Sequence, residues 1–502
     1  MKRLFILLFI IPLLLFSQFP LKVNAENQST LPEEIIYDIL VDRFNNGRQA
    51  PSEQVDVNNP LTYNGGDIKG ITMMLDTLQE HGFTTISLSP IMENAERGYH
   101  GYWIEDFYAV EEEFGTMDDV KELVKEAHNR GMKVMLELVT NYVAKTSPLI
   151  EEVDQQVWFK ENEVEPIEAT TWLEDIYVFN QENEEVQEYL LDVAMFWVNE
   201  VDIDGFKLHA ADQASPFFLE KLTTELKQID PYFHIIATTL QENEDVADLY
   251  AIENIDAIAN KSLSEKINEV FTFPDVPVSH LFENGEHSFR DLIYVDNMNT
   301  ARFSNNFAEN ERNAVMTWTL ALAYMYLTPG VPIIYQGSEV PMYGPGFPEN
   351  QYFVNFTSAD PDIKQVFEQM SALRDQFPAL VYGDMEHIAV DDELSLFKRT
   401  LDGTTVWVAI NNSSESGVVT ISDLNADLQL RGLFHDDTIR QNENGEFLIG
   451  MERESAEVFV AQPNTGFNWG FILLVASIFI VFIVGVIILS RKQKKRELAA
   501  KQ

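Results

Sequence analysis

The stretch FGTMDDVKELVKEAHNRGMKVMLELV, residues 114–139, contains an amphipathic helix followed at once by an apolar strand. Val120, Leu123, Val124 and Ala127 recur at i, i+3, i+4 and i+7, which is the spacing of one helix face. The run KVMLELV that follows has the length and composition of a buried strand. Helix and strand in this order are typical of a parallel sheet wrapped in helices.

The helix in this stretch also carries its own start and stop signals. Thr116 with Asp119 three residues later predicts an N-terminal cap resembling a capping box. Gly131 suits the left-handed residue that follows the helix. Both signals predict that the helix is confined to the segment between them.

The same alternation of short apolar runs and amphipathic segments extends from residue 35 to about residue 335. The predicted strands are residues 35–41, 83–89, 133–139, 205–209, 234–240, 257–259, 292–298 and 332–335. Eight is the number that closes a (β/α)8 barrel, so the predicted fold class is α/β, a TIM barrel over 26–385. Residues 143–180 are too long for a simple loop and predict an inserted subdomain after the third strand.

A different pattern begins at about residue 386. Residues 394–400 and 404–411 alternate apolar and polar side chains around the turn pair Asp402-Gly403. This pattern predicts a small antiparallel β-sandwich over 386–462, followed by a linker over 463–470.

Both ends of the chain have the features of a membrane-anchored extracellular protein. Basic Lys2 and Arg3, an apolar run and the small-residue pattern at 23–25 predict a signal peptide over 1–25. Residues 471–489 are uninterruptedly apolar and reach about 28 Å as a helix, enough to span a bilayer. The tail at 490–502 is basic, so we expect it in the cytoplasm and the rest outside.

Composition excludes several classes of partner and chemistry. The chain has 34 Lys and Arg against 81 Asp and Glu, a formal net charge of −47, which disfavours a nucleic-acid partner. It has no cysteine, which excludes disulfides, thiolate metal sites and a cysteine nucleophile.

Six strings carry a family resemblance. They are YDILVDRFNNG (37–47), NGGDIKGI (64–71), GYHGYW (98–103), FGTMDDVKELVKEAHNRGMKV (114–134), VDIDGF (201–206) and TPGVPIIYQG (328–337). In this order they resemble the α-amylase family, glycoside hydrolase family 13. The resemblance implies a barrel with an insertion after strand three, a C-terminal sandwich and action on α-1,4-glucans.

The resemblance also implies an Asp nucleophile, a Glu acid/base and a second Asp, and this chain departs at each. His209 stands at the nucleophile position, Thr238 at the acid position and Asn299 at the position of the second Asp. Retaining hydrolysis needs two carboxyl groups about 5 Å apart. We therefore expect no intact catalytic residues and a catalytically degenerate, membrane-anchored bacterial member of the family.

Four further residues stand where family members line the sugar subsite: His100, Tyr102, Lys207 and Arg302. The resemblance implies that the Tyr102 ring stacks on a pyranose. The alternative is that Tyr102 and its neighbour simply pack the barrel rim. Glu137 and Lys207 replace an Asp and an Arg of the family, which predicts a structural ion pair between them.

The family's calcium site is also depleted. Asn141 remains, but Val178 appears where an aspartate is expected, and Gln213 where a histidine carbonyl contributes. A hard cation takes about six to eight oxygen ligands. We therefore expect no metal and no cofactor.

Two functions follow from these patterns. The first is an extracellular, membrane-anchored protein of the amylase fold that binds α-glucan, maltooligosaccharide or a surface partner without hydrolysis. The alternative is an α-1,4-glucan hydrolase with rearranged catalytic residues, and a new activity on Lys207, His209 and Asp212 is conceivable.

Overall fold

The structure is a computed structural model. It describes residues 29–48, 55–161, 168–240, 246–282, 287–389, 393–422, 424–464 and 469–499. The predicted signal peptide at 1–25 lies outside the described residues, as do residues 465–468 of the linker and 500–502 of the tail.

Eight parallel strands close into a barrel, which confirms the predicted fold. They are β1 (Ile36–Ile39), β2 (Thr85–Leu88), β3 (Lys133–Leu138), β4 (Gly205–Leu208), β5 (His234–Ala237), β6 (Ala257–Ala259), β7 (Asp291–Ile293) and β8 (Val331–Tyr335). Each strand pairs with the next along the chain, and β8 pairs with β1, with Ile36 beside Ile333. Most predicted strands extend too far at the carboxyl end, because those residues leave the sheet to form loops at the carboxyl end of the barrel, here called the barrel mouth.

Apolar side chains fill the barrel and the helix faces that cover it. Ile36, Met135, Ile236 and Leu292 belong to one buried cluster inside the barrel. The helices are Ile68–Glu80, Met117–Asn129, Glu184–Val201, Pro216–Ile229, Ala247–Ala251, Lys261–Thr272, Phe303–Ala308, Ala314–Leu327, Pro361–Gln376 and Pro378–Tyr382. Short 3₁₀ turns lie at Leu31–Glu33, Val41–Arg43, Ala211–Gln213, Val278–Phe282, Glu349–Gln351 and Phe356–Ser358.

The helix Met117–Asn129 begins and ends where the signals at Thr116 and Gly131 predict. The Thr116 side chain accepts from the Asp119 backbone N–H, and the Asp119 carboxylate accepts from the Thr116 N–H. Gly131 has a φ of 72°, in the left-handed region. The capping box and the glycine exit are therefore both confirmed.

The insertion after β3 is a small sheet with short helices. Its strands are Tyr142–Ala144, Phe159–Lys160 and Ile176–Phe179, and its helical turns are Leu149–Glu152, Gln155–Trp158 and Glu168–Asp175. The last strand lies between the other two in the sheet. A separate antiparallel pair, Met92–Asn94 with Ile104–Val110, follows β2.

The C-terminal domain consists of two sheets. Its strands are β9 (Asp384–Ala389), β10 (Leu394–Leu401), β11 (Thr404–Asn411), β12 (Gly417–Ile421), β13 (Leu428–Gly432), β14 (Thr438–Arg440), β15 (Phe447–Met451) and β16 (Ser455–Pro463). The order is β9-β10-β11-β16-β13-β14 in one sheet and β12-β15 in the other. The chain divides into two compact units: residues up to 419 with 450–458, and residues 420–449 with the segment from 459 onward.

The last described element is the helix Trp469–Ala499. Within it, Leu473–Gln493 is long and apolar enough to cross a membrane, with a mean hydropathy of 3.1. The predicted span at 471–489 overlaps this segment.

Candidate functional site

The three positions predicted for catalysis lie beyond the carboxyl ends of barrel strands. His209 directly follows β4 and Thr238 directly follows β5. The Thr238 hydroxyl donates to the Leu208 carbonyl oxygen at 3.1 Å, so it is engaged with the backbone. Asn299 lies in the segment after β7, where its backbone N–H donates to Asn297 Oδ1 at 2.8 Å. This face is the one on which barrel enzymes carry their active sites.

Glu137, at the end of β3, is the centre of a buried polar cluster. Its Oε2 lies 3.0 Å from Lys207 Nζ, which confirms the predicted ion pair. Its Oε1 lies 2.7 Å from His209 Nδ1 and accepts from the Tyr102 hydroxyl at 3.1 Å. Three groups therefore contact one carboxylate whose side chain is only 3 % exposed.

Lys207 extends the cluster to a second carboxylate. Its Nζ also lies 2.5 Å from Asp38 Oδ1 on β1. The ammonium is thus held between Glu137 and Asp38, and its side chain is 7 % exposed. In this structure the predicted sugar-contacting lysine makes ion pairs inside the barrel.

The electrostatics of the cluster fix the protonation of its members. Burial opposes ionisation of Glu137, but Lys207 and His209 outweigh it and lower the pKa of that carboxyl to about 2. Burial opposes charge on Lys207, but Asp38 and Glu137 raise its pKa above the usual value. Burial and Glu137 raise the pKa of Tyr102 well above its usual value. At neutral pH the cluster therefore holds an ionised carboxylate, an ammonium and a neutral phenol.

Aromatic rings cover this cluster. The ring of Trp172, from the turn Glu168–Asp175, is stacked on Tyr102 with centroids 4.5 Å apart. The His209 ring lies 4.4 Å from Tyr102 and 5.7 Å from Trp172, so the three rings form a triangle. Trp103 Nε1 donates to the Trp172 carbonyl oxygen at 2.9 Å, which holds this segment over the barrel.

The predicted stacking of a pyranose on Tyr102 does not fit this structure. Tyr102 is 3 % exposed, and its ring already contacts Trp172 and His209. His100 accepts from the Tyr102 backbone N–H at 3.0 Å. Burial, with Arg43 and His209 nearby, lowers the pKa of His100 to about 3, so this ring is neutral. The packing alternative for Tyr102 therefore describes its observed surroundings.

Arg302 likewise does not face the barrel mouth. Its Nε donates to the Asn350 carbonyl oxygen at 2.8 Å and its Nη1 to the Gln336 carbonyl oxygen at 2.7 Å. The guanidinium carbon lies 4.0 Å from the centroid of the Tyr335 ring, and the residue is 1 % exposed. These contacts hold the loop after β8 and leave the arginine inside the protein.

An open cavity of about 230 Å³ lies above the covered cluster. It is lined by Leu61, Arg97, Tyr99, His100, Trp103, Thr171, Trp172, Met298, Phe347 and Gln351. Of the aromatic residues in this lining, Trp103 and Phe347 are half-buried, whereas Tyr99 and Trp172 are buried. The volume is below the roughly 300–1,000 Å³ typical of pockets that enclose a small molecule. The cavity therefore suits a ligand that remains partly in solvent.

The residues at the family's calcium position do not fit a hard cation. Asn141 Oδ1, the oxygen expected to bind the cation, instead accepts a hydrogen bond from Gln181 Nε2 at 3.0 Å. Val178 is a buried apolar residue on the neighbouring strand. Gln213 Nε2 donates to Asp212 Oδ2 at 2.7 Å. The part of the chain that the structure describes holds no group of three or more His, Asp or Glu arranged for a metal.

Several residues of this site, including Asp38, are absent from the sequence predictions. Two others that the predictions miss are Trp172 and Gln181. Both belong to or border the insertion, which has neither a motif nor a clear period. A tryptophan in a polar segment, TTWLED at 170–175, is the one signal that could have drawn attention to Trp172. Gln181 carries no comparable signal.

Comparison with known proteins gives the family. The family described as "Alpha amylase, catalytic domain" matches residues 38–166 and 218–382. The family described as "Alpha-amylase C-terminal domain" matches residues 383–459. The unmatched stretch between the first two segments contains Trp172, β4 and His209. The match is thus interrupted around His209, the residue that the sequence resemblance sets at the nucleophile position.

Relatives with known structures or names agree with this assignment. The crystal structure of an Anoxybacillus α-amylase is 36% identical with a TM-score of 0.81, covering 88% of this chain and all of that one. The α-amylase from Geobacillus thermoleovorans, solved with acarbose, is 34% identical with a TM-score of 0.79, covering 87% of this chain and all of that one.

Named relatives at lower identity are longer. A cyclomaltodextrinase of Geobacillus thermopakistaniensis is 28% identical, covering 77% of this chain and 70% of that protein. A β/α-amylase of Paenibacillus polymyxa is 27% identical, but this chain spans only 38% of its length. Catalytic and C-terminal domain matches, together with the closed barrel, lead to one conclusion: the chain belongs to the α-amylase family.

Proposed function

We propose that this protein binds α-glucans without hydrolysing them and is anchored outside the cell by its C-terminal helix. The observation that supports the proposal is that His209, Thr238 and Asn299, which the family resemblance aligns with catalytic carboxyl groups, lie beyond the carboxyl ends of barrel strands. In this proposal the protein binds the ligand class of the family but does not catalyse the family's reaction.

Glu137 does not replace the missing groups. A retaining glycosidase needs one carboxyl group to attack and another to donate a proton, about 5 Å apart. Glu137 is ionised at neutral pH and contacts Lys207, His209 and Tyr102, so it has neither a proton to give nor a free face for attack. Loss of general acid catalysis alone typically costs about 10²–10⁴-fold in rate.

Other acidic residues near the mouth have structural partners. Asp38 pairs with Lys207. Asp212 Oδ1 accepts from the Leu240 backbone N–H at 2.8 Å. Asp296 Oδ2 accepts from the Phe303 N–H at 2.8 Å, and burial raises the pKa of this carboxyl. These contacts favour binding over a rearranged hydrolytic site.

The cavity above Trp172 supplies the binding surface in this proposal. Half-buried Trp103 and Phe347 offer apolar rings beside the exposed polar side chains of Arg97 and Thr171, the combination common in small-molecule sites. Such contacts act in the ground state, whereas the missing carboxyl groups act mainly on the transition state, so binding can remain after turnover is lost. The complex of the Geobacillus thermoleovorans relative with acarbose supports the ligand class.

The membrane part of the proposal is supported by the helix Trp469–Ala499. Its segment Leu473–Gln493 has the length and hydropathy of a span. A basic cluster begins within the last three residues of this segment and continues beyond it, at Arg491, Lys492, Lys494, Lys495 and Arg496. Such clusters stay on the cytoplasmic side, which would place the barrel outside.

Calorimetry of the full chain in detergent with maltoheptaose tests binding. We expect a Kd of about 0.1–10 mM, as suits a partly exposed site with few contacts. Trp103→Ala should weaken binding at least tenfold, and the matched control Trp158→Ala, outside the cavity lining, should not. No heat at high millimolar sugar, or equal binding by Trp103→Ala, would show that the cavity is not a glucan site.

The alternative, an α-glucan hydrolase with rearranged residues, is favoured by the names of the relatives, which include amylases and cyclomaltodextrinases. An assay for new reducing ends on starch and maltooligosaccharides separates the two functions. Turnover at ordinary enzyme rates, abolished by a substitution at Glu137 or His209, would establish the alternative.

A further inference from the structure

Two buried side-chain amides join the barrel to its insertion. Asn141 lies just after β3, where the insertion begins, and is 1 % exposed. Gln181 lies just after the last strand of the insertion and is 5 % exposed. We refer to these two residues as the amide pair.

Asn141 connects the start of the insertion to the segment after β4. Its Nδ2 donates to the carbonyl oxygens of His209 at 3.1 Å and Ala210 at 2.8 Å. Its Oδ1 accepts from Gln181 Nε2 at 3.0 Å. Its backbone carbonyl accepts from the Phe179 N–H at 2.8 Å. One side chain thus contacts both the segment after β4 and the end of the insertion.

Gln181 completes the connection. Its Nε2 also donates to the Thr140 carbonyl oxygen at 2.8 Å, and its Oε1 accepts from the Ser215 backbone N–H at 2.6 Å. Its backbone carbonyl accepts from Gln187 Nε2 at 2.7 Å. Each oxygen and nitrogen atom of the two amide groups therefore has a partner.

The backbone at Ala210 shows what this arrangement restrains. Ala210 has a φ of 47°, a left-handed conformation that costs free energy for a residue with a Cβ. Such a conformation is kept only where the surroundings fix it. The hydrogen bond from Asn141 to the Ala210 carbonyl is one such constraint, and it lies directly after His209.

We infer that the amide pair does structurally what a bound divalent cation would otherwise do at this junction, so that the fold is stable without calcium. A calcium ion takes about six to eight oxygens, several of them carboxylates. Here the oxygens of Asn141, His209 and Ala210 already accept N–H groups, which places the positive ends of amide dipoles among these oxygens. The adjoining Val178 side chain adds only apolar surface.

The inference is independent of glucan binding and is tested on stability. The thermal unfolding midpoint of the full chain in detergent is measured by tryptophan fluorescence in EDTA and in 5 mM CaCl₂ at equal ionic strength. We expect the two midpoints to coincide. A midpoint that falls in EDTA or rises with calcium, or stoichiometric calcium binding in calorimetry, would overturn the inference.

Variants test the amide pair itself. Gln181→Ala leaves buried partners of its amide unsatisfied and should lower the midpoint by roughly 2–6 °C, with no rescue by calcium. The matched control is Asn199→Ala, an exposed amide that donates to Met195 within its own helix. If the two variants lose equal stability, the amide pair is not the junction's support. If Gln181→Ala does not fold, the wild-type comparison still decides.

Discussion

At the scale of single residues, the most consequential side chain is Lys207, which stands between buried Glu137 and half-buried Asp38. Glu137 and Asp38 both depend on its charge. Burying carboxylates without a partner is costly, so the ammonium cannot be removed without effect. The site that would serve chemistry in an active relative is here an ion-pair cluster.

Replacing Lys207 with methionine should therefore strongly destabilise the barrel. We expect a loss of about 3–5 kcal/mol in the free energy of unfolding, because the buried carboxylate of Glu137 and the half-buried carboxylate of Asp38 lose their counter-charge. Denaturant unfolding followed by tryptophan fluorescence measures it. Lys121→Met, which removes an exposed pair with Glu200, is the control and should cost about 0–1 kcal/mol. Similar losses in both variants would contradict this account of Lys207.

The pH dependence of the cluster follows from Glu137. Folding lowers the pKa of this carboxyl from an ordinary value of 4.5 to about 2. The ionised form of Glu137 therefore stabilises the fold fully above about pH 4.5. That contribution, at most about 3 kcal/mol, should fade as pH falls from about 4.5 to 2. The stability difference between wild type and Glu137→Gln should shrink over this range, which acid titration of both proteins would reveal. A constant difference would mean that Glu137 is not ionised in the cluster.

At the scale of elements, local patterns predict more than the contacts between distant segments. The eight strands and the capping box depend on residues close in sequence. The Glu137–Lys207 pair is predicted from the family resemblance, and the two residues lie side by side on neighbouring parallel strands. The cover by Trp172 depends on how the insertion folds back over the barrel. No spacing in the sequence records that contact, so the sequence leaves open whether the Tyr102 ring stacks on a sugar or packs at the barrel rim.

Under the proposed function, the insertion also determines whether hydrolysis can be introduced by substitution. A triple variant with the family's carboxyl groups carries His209→Asp, Thr238→Glu and Asn299→Asp. In this variant Trp172 still covers Tyr102. The carboxylate introduced at position 209 would also lie against Glu137. We expect the triple variant to be inactive on maltooligosaccharides. Adding Trp172→Ala should open the cluster and give turnover at least tenfold above the triple variant, measured as reducing ends.

A matched variant tests whether the gain in activity is specific to Trp172. Trp158→Ala added to the triple variant removes a tryptophan from the same insertion without touching the cluster, and should not give activity. Activity in the triple variant alone would show that Trp172 does not block the site.

At the scale of the whole molecule, the two ends of the chain predict how the protein is oriented across the membrane. Protease added to intact cells with a permeable outer layer should digest the barrel and the C-terminal domain. The reason is that the basic tail is expected in the cytoplasm and both domains outside the membrane. An antibody to the tail on blots should then detect a short protected fragment. Protection of residues 29–464 in these cells would reverse the proposed topology. Lysed cells, in which the tail is also digested, are the control.

Closure of the barrel has a consequence for how the protein is made. Because Ile36 pairs with Ile333, the first strand has an unsatisfied edge until the eighth emerges from the ribosome or the translocation channel. Pairings between such distant segments form slowly and leave strand edges open to misassociation. The residues that complete the ring all precede the helix Trp469–Ala499, so the barrel can close before that helix is synthesised. Folding assistance is therefore most needed in the interval before residue 335 is free to join the sheet.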